Sequence, residues 1–171
     1  MEEQKSISAI TAGLIIAGIS ILFSLIMNLF AGAGASMSFF EYLVIIAALV
    51  FFINKYGKAY DYNKTFGDLF SYGFKATAIF TLIFLVFISI LLLSTPELKQ
   101  KTLDAARTEL ERRKMPDSEI DKSIEIVGKY FWIGMVGSTM FFLVLVGAIG
   151  SAIGAAITRK SPQNPFDQLP E

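Results

Sequence analysis

The run YFWIGMVGSTMFFLVLVGAIGSAIGAAIT, residues 130–158, contains no charged side chain. About 20 helical residues cross the hydrocarbon core of a bilayer, so this run is long enough to span it. A lone strand in lipid cannot pair its backbone N–H and C=O groups, whereas a helix pairs them within itself. The run therefore predicts a transmembrane α-helix and, with it, an integral membrane protein.

Three further apolar runs precede it. Residues 7–31 carry no charge, residues 38–54 carry only Glu41, and residues 72–94 carry only Lys75. Even the shortest, residues 38–54, makes about 25 Å of helix at 1.5 Å per residue. The first run is too long for the apolar region of a secretion signal, and its leader is net negative, so we expect an uncleaved anchor. The sequence predicts an all-α integral membrane bundle of four transmembrane helices.

The composition fits this class and excludes several kinds of function. Of the 171 residues, 54% are hydrophobic and 18% charged, and the mean hydropathy of +0.57 is high for a soluble domain. Fifteen basic residues balance fifteen acidic ones, whereas a nucleic-acid-binding protein needs a net basic face. The chain has no Cys and no His, which removes thiol and histidine catalysis and the usual zinc ligands. We therefore expect no enzyme, no cofactor, no metal site and no nucleic-acid partner.

A polar insert, residues 95–129, separates the third run from the fourth and holds eight basic and eight acidic residues. Thr95 and Pro96 have the residue types of an N-cap and a first helical position, and Pro116 begins a second helical pattern. Its apolar stripe, formed by Ile120, Ile124 and Val127, stays in phase towards Phe131. We therefore expect a helical hairpin whose second helix continues unbroken into the fourth span. The mixed charges favour a solvated surface, with binding of an anionic partner as the alternative.

The domain organisation follows from the size of the insert. It is too short to bury a core of its own, so the chain is expected to form a single membrane domain over residues 1–171. The Pro-containing tail, residues 161–171, is expected to be disordered.

The loop between the second and third runs is expected to form an interfacial elbow. Gly57 and Asn63 are predicted to turn the chain. Asp61, Asn63 or Thr65 is predicted to cap a short helix of about residues 66–72, which leads into the third span.

The orientation is predicted from basic residues close to the membrane. Lys55 and Lys58 follow the second span directly, and Arg159 and Lys160 follow the fourth. A raw count does not decide, because the insert also holds eight basic residues. Weighting the positions nearest to the membrane predicts cytoplasmic termini, a cytoplasmic loop over residues 55–71 and a periplasmic insert.

Small residues form lines on the first and fourth runs. Such lines let two helices approach closely within a membrane. The simpler interpretation is packing of the first helix against the last within one bundle, and the alternative is an interface with a second copy or another protein. The candidate residues are Ala9, Gly13, Ala17, Gly147, Gly150, Ser151, Gly154 and Ala155.

Two charged residues lie near the edges of spans and are candidates for a polar site. Glu41 is predicted to lie within a turn of the start of its span, where a carboxylate interacts favourably with the positive end of a helix. Lys75 is predicted to lie close enough to the interface for its ammonium group to reach water. Structural roles are the simpler interpretation, and the lining of a pore or transport path is the alternative.

The order and spacing of these features resemble a known family. The loop YGKAYDYNKTFGDLFSYGF, the segment STPELKQK that opens the insert, and the Gly/Ala-rich last span ending in AAITRK are similar to a bacterial membrane family known as domain of unknown function 4199. The resemblance covers about residues 5–160. It implies an integral inner-membrane protein of unassigned function, found chiefly in Bacteroidetes-type bacteria, and it supplies no catalytic residues.

We therefore expect a multi-pass, non-enzymatic membrane protein with an interaction or structural role, acting through the insert and the small-residue lines. The expected partners are the lipid bilayer and either a second copy of the chain or another membrane or envelope protein. A small transporter or channel subunit is the alternative. An intramembrane enzyme is the least favoured class, since no pair of carboxylates lies deep within a span.

Overall fold

The computed structural model describes residues 6–30 and 35–158, and the side-chain environments of residues 6–26, 39–97 and 99–158. The described residues form six α-helices and no strand. The predicted disordered tail lies outside the described residues. The helices are α1 (Ala9–Phe30), α2 (Ala35–Ala59), α3 (Phe66–Ser94), α4 (Pro96–Arg112), α5 (Asp117–Lys129) and α6 (Phe131–Ile157).

Four of these helices are long and apolar enough to cross a membrane. Large apolar side chains face outward along them, with Leu22, Leu82 and Val86 each 62% exposed. A water-soluble bundle would bury such faces, whereas lipid solvates them. The chain is therefore a membrane-embedded, all-helical protein, as predicted. The four stretches are Ala9–Ile26, Phe39–Ala59, Phe66–Ser94 and Phe131–Ile157.

The turn between α2 and α3 does not use the predicted glycine. Asp61 and Tyr62 adopt positive φ angles of 50° and 58°, and the Tyr62 N–H donates to Gly57 O at 2.9 Å. Gly57 itself lies inside α2, where an added Cβ would be 2.6 Å from Thr158 Cγ2. The prediction that Gly57 turns the chain is wrong, because this glycine permits a close approach of two helices instead.

The predicted short interfacial helix is the beginning of α3, which runs without a break from Phe66 to Ser94. Thr65, one of the three predicted caps, holds this beginning. The Asp68 N–H donates to Thr65 Oγ1 at 3.2 Å, while the Thr65 N–H and O–H donate to Asp68 Oδ2 at 3.1 and 2.8 Å. This reciprocal capping satisfies backbone donors that a helix start leaves free, so the helix begins two turns before the apolar run.

The described packing falls into two units. The first contains the described residues up to Ile83 and from Leu143 onward, which comprise α1, α2 and parts of α3 and α6. Phe80 of α3 is 0% exposed and is the largest of its fully buried side chains. The other large apolar side chains that are almost completely buried in this unit are Ile16, Ile45, Leu49 and Ile53.

The second unit covers residues 84–142 and contains α4 and α5. The two helices pack against each other, with an ion pair between Arg107 of α4 and Asp121 of α5. Ile120 is 2% exposed and Phe131 is 4% exposed, so both lie in the core of this unit. These two residues belong to the apolar stripe that the sequence predicts for the second helix of the insert.

The helix ends in this unit follow the predicted residues with one exception. Pro116 directly precedes α5, and Lys114, with φ 57°, turns the chain after α4. Thr95 occupies the N-cap position of α4, but its side chain makes no capping hydrogen bond. Pro96 remains as the start signal, because a proline at the first helical position has no N–H to satisfy.

The second helix of the insert does not run unbroken into the fourth span, contrary to the prediction. Tyr130 separates α5 from α6, with φ −101° and ψ 13°. The break is small, since the Tyr130 N–H still donates to Ile126 O at 3.1 Å and the Gly134 N–H donates to Tyr130 O at 2.8 Å. It leaves Tyr130 52% exposed beside the buried Phe131.

Candidate functional site

The small residues predicted on α6 pack against α2 inside the first unit. A Cβ added at Gly154 would lie 2.6 Å from Ile53 Cδ1, and one added at Gly150 would lie 3.0 Å from Leu49 Cδ1. Both distances are shorter than ordinary van der Waals contact, so a larger residue would displace α2 side chains. The predicted residues of this helix that are buried are Gly147, Gly150, Ser151, Gly154 and Ala155.

Gly147 faces α3 at the point of closest approach. A Cβ added there would overlap the side chain of Thr77. The Thr77 O–H donates to Gly73 O at 3.0 Å, which fixes the threonine rotamer along its own helix. One turn away, a Cβ added at Gly73 would lie 2.7 Å from Ser151 Oγ. Two glycines on opposite helices therefore make the contact between α3 and α6 possible.

The small residues predicted on α1 have a different neighbour from the one expected. A Cβ added at Gly13 would lie 2.7 Å from Ala76 O and 2.8 Å from Ile79 Cβ, both on α3. Ala17 is 1% exposed, and Ala9 is partly exposed. The expectation that the first helix packs on the last is therefore wrong at Gly13, because a small-residue line marks a close approach without identifying the helix that approaches.

Hydroxyl side chains line the inside of the first unit. Thr77 and Thr158 donate to carbonyl groups one turn earlier in their chain, at 3.0 and 2.7 Å. The side-chain oxygens of Ser20, Thr81 and Ser151 are buried and have no hydrogen-bond partner among the described residues. These three hydroxyls keep unused donor and acceptor capacity within an apolar bundle.

Glu41 lies deeper in its helix than predicted. Because α2 begins at Ala35, Glu41 stands almost two turns inside it, beyond the first turn to which the helix-end charge effect is confined. The expected interaction with the positive helix end is therefore not available to Glu41, and its structural role stays a prediction. One carboxylate oxygen, Oε1, is buried with no hydrogen-bond partner among the described residues. An unpaired carboxylate oxygen in apolar surroundings can bind a proton or a small cation.

Lys75, the other predicted polar residue, is exposed and lines a cavity of about 290 Å³ with Asp68 and Tyr72. Glu41 is not among the residues that line this cavity. The Tyr72 O–H donates to Ile7 O at 3.0 Å, and the ring of Tyr56 stacks on that of Tyr72 with centroids 4.1 Å apart. These contacts tie the segment before α1 to α2 and α3.

A larger cavity, about 710 Å³, lies between the segment that precedes α1 and one face of α2. The α2 residues recur at spacings of three and four, as expected for one side of a helix. We call this cavity the lysine groove. In the sequence, Lys55 and Lys58 indicate only the orientation, because the groove forms only where Ser6 and Ile7 lie beside α2. The α2 residues that line it are Ala47, Val50, Phe51, Asn54, Lys55, Lys58 and Ala59.

The second unit exposes apolar side chains around the junction of α5 and α6. Ile126 is 51% exposed, Val127 41%, Tyr130 52% and Ile133 73%. We call these four residues the α5 patch. Ile126 and Tyr130 are four residues apart and share one helix face. The sequence pattern placed Val127 on the buried stripe, but the structure leaves it exposed at the edge of the patch.

The helices described above cover the part of the chain that a family model matches. The model is described as "Protein of unknown function (DUF4199)", and it matches residues 11–160. No curated protein and no solved structure matches the chain. The matched range includes five of the six helices completely and all but the first two residues of α1.

Proposed function

This chain belongs to the DUF4199 family, and from that premise we propose that it is a non-enzymatic membrane protein that binds another membrane or envelope protein. The observation that carries the proposal is the α5 patch, whose side chains are 41–73% exposed. Three of its four residues lie before the spanning stretch Phe131–Ile157. Contiguous exposed apolar side chains next to charged ones are typical of protein interaction surfaces.

The packing of the small residues within the chain supports a partner site on the α5 patch instead of on the small-residue lines. Gly147, Gly150 and Gly154 of α6 and Gly13 of α1 are already used for packing inside the first unit, so they are not free for a second chain. The side chains of the α5 patch are instead exposed in the described part of the chain. The proposed partner is either a second copy of this chain or a different envelope protein.

A photo-crosslinking residue in place of Ile126 tests the proposal in native membranes. We expect a protein adduct at this position, at least fivefold stronger than with the same probe in place of Glu125. Glu125 is the matched control, because it is exposed on the same helix but points about 100° away from Ile126 and about 160° away from Val127. An adduct of twice the 18.9 kDa of one chain identifies a second copy, and any other mass a different protein. No protein adduct, or equal adducts at both positions, would contradict the proposal.

The proposal includes a location in the bacterial inner membrane, with cytoplasmic termini and a periplasmic insert. Lys55 and Lys58 support this orientation, since both are exposed at the end of a spanning stretch. Basic residues that close to the membrane favour the cytoplasmic side.

A small transporter or channel subunit is the second candidate, and Glu41 favours it. Its buried, unpartnered Oε1 lies in the same unit as the unpartnered hydroxyls of Ser20 and Thr81. Ionisable groups within spans commonly mark the paths of protons and cations.

Glu41→Gln separates this candidate from the first. If the chain carries protons or sodium ions, we expect the variant in proteoliposomes to lose at least about 90% of the flux, because the amide keeps the shape and removes the titratable charge. Glu119→Gln, on the exposed surface of α5, is the matched control and should leave flux unchanged. Wild-type protein without flux, or equal flux in both variants, would count against a transport role.

A further inference from the structure

The lining of the lysine groove changes from apolar to charged along its length. Its α2 wall runs from Ala47, Val50 and Phe51, near the middle of the spanning stretch Phe39–Ala59, to Lys55 and Lys58 near the end of that stretch. The eleven residue steps from Ala47 to Lys58 correspond to about 16 Å at 1.5 Å per residue. That is about half the roughly 30 Å hydrocarbon core of a bilayer. The groove therefore runs about one leaflet deep, with its charge at the outer end and its apolar wall toward the centre.

The charge at the outer end has no counter-ion within the described part of the chain. Neither Lys55 nor Lys58 takes part in an ion pair there. The Lys55 ammonium lies 6.0 Å from the centre of the Phe51 ring, which places it above the apolar wall. The carboxylate of Asp68, which lines the smaller cavity, is engaged by the N–H and O–H of Thr65. Two exposed ammonium groups and the Asn54 side chain thus form a positive end that favours an anion.

We propose that the lysine groove binds one anionic phospholipid. The phosphate of the head group lies against Lys55 and Lys58, and one acyl chain lies along Ala47, Val50 and Phe51 toward the bilayer centre. The volume of about 710 Å³ is within the range of sites that hold small ligands. Basic pockets between spanning helices at the cytoplasmic side are a recurrent form of lipid head-group site.

The apolar wall is what selects a lipid over a soluble phosphate. Free phosphate would gain from the two lysines but would leave the wall from Ala47 to Phe51 unused. A zwitterionic lipid would use the wall but would gain little from the lysines. Only an anionic amphiphile uses both ends of the groove. This inference does not depend on the protein partner proposed for the α5 patch, which lies in the other unit.

Native mass spectrometry of the full-length protein in detergent tests the site. We expect one phosphatidylglycerol to be retained per chain, with affinity at least tenfold above that for phosphatidylcholine with the same acyl chains. Lys55→Gln/Lys58→Gln should weaken phosphatidylglycerol binding by roughly 10- to 30-fold, since each lysine near a lipid surface contributes about a factor of five. Lys101→Gln/Lys114→Gln removes the same charge from exposed positions of the second unit and should leave the affinity unchanged.

A second variant tests the apolar half. Ala47→Phe fills the groove at an exposed position that does not disturb the core, and it should weaken phosphatidylglycerol binding about tenfold. Inorganic phosphate in excess should not displace the lipid. Equal retention of both lipids, an unchanged affinity in the lysine variant, or displacement by inorganic phosphate would overturn the proposal. An unchanged affinity in Ala47→Phe would also overturn it, because the lysines would then act only as a charged surface.

Discussion

Gly147→Ala is expected to lower the free energy of unfolding by about 3 kcal/mol, at the upper end of what overpacking usually costs. The added Cβ would overlap the Thr77 side chain, so α3 and α6 must separate or Thr77 must leave its rotamer. The threonine cannot turn without cost, because its O–H is bonded to Gly73 O at 3.0 Å. In a membrane, close packing is a main source of helix association, and a separation of α3 from α6 loses it directly.

The matched control is Gly137→Ala in the same helix. A Cβ added at Gly137 has no atom within 4 Å, so we expect no loss and a gain of up to about 1 kcal/mol from helix propensity. Both variants are measured by circular dichroism during unfolding with a denaturing detergent in mixed micelles. Equal losses at both positions would show that glycine matters for the helix itself and not for the contact with α3.

The double variant Thr77→Ala/Gly147→Ala refines this test. Removing Oγ1 and Cγ2 of Thr77 clears the two nearest atoms and leaves its Cβ at 2.8 Å from the new methyl group. We therefore expect the double variant to recover part of the free energy of unfolding that Gly147→Ala loses. The effects of the two substitutions should not be additive, since the two sites are in direct contact. Independent, additive losses would mean that Gly147 is constrained by some other neighbour.

The four spanning helices could be predicted from the sequence because the signal is local. A run such as residues 130–158 must be helical in lipid whatever surrounds it. The start of α3 could also be predicted, since Thr65 and Asp68 carry a capping pattern at positions three residues apart in the chain. These features depend on residues within one or two turns of each other.

The packing partners could not be predicted, because they depend on residues far apart in the chain. Gly13 and Gly147 are recognisable as small, but only the fold shows that α3 is the neighbour of both. The environment of Glu41 was missed for a related reason. The apolar run begins three residues after the helix does, so the carboxylate was placed too near the helix start.

The lysine groove and the α5 patch were missed because neither has a distinctive sequence pattern. The groove needs Ser6 and Ile7 against α2, a contact between segments about 40 residues apart in the chain. The patch depends on which side of α5 is exposed in the fold. The small break at Tyr130 could not be predicted either, because no glycine or proline marks it in the sequence. Both proposed sites are surfaces, and the periodicity of a sequence gives little information about which surface a helix leaves exposed.

Phe80→Ala is expected to lower the free energy of unfolding by about 3 kcal/mol. Phe141→Ala is the control that shows whether this loss comes from burial between helices. In a soluble core, Phe→Ala costs about 3–5 kcal/mol as the sum of a transfer and a cavity contribution. Lipid is as apolar as the side chain, so here the cavity and the lost contacts supply most of the loss. Phe80 is 0% exposed, and its removal leaves a void between helices that lipid cannot enter.

Phe141→Ala should lower the free energy of unfolding by less than about 1 kcal/mol. Phe141 is 65% exposed on α6, so lipid fills the space that the ring leaves. Both variants are compared by the same detergent unfolding measurement. A small loss at Phe80 would contradict the buried core of the first unit. A loss at Phe141 as large as that at Phe80 would show that lipid does not fill this position, and the outer face of α6 would then have to be covered by another protein chain.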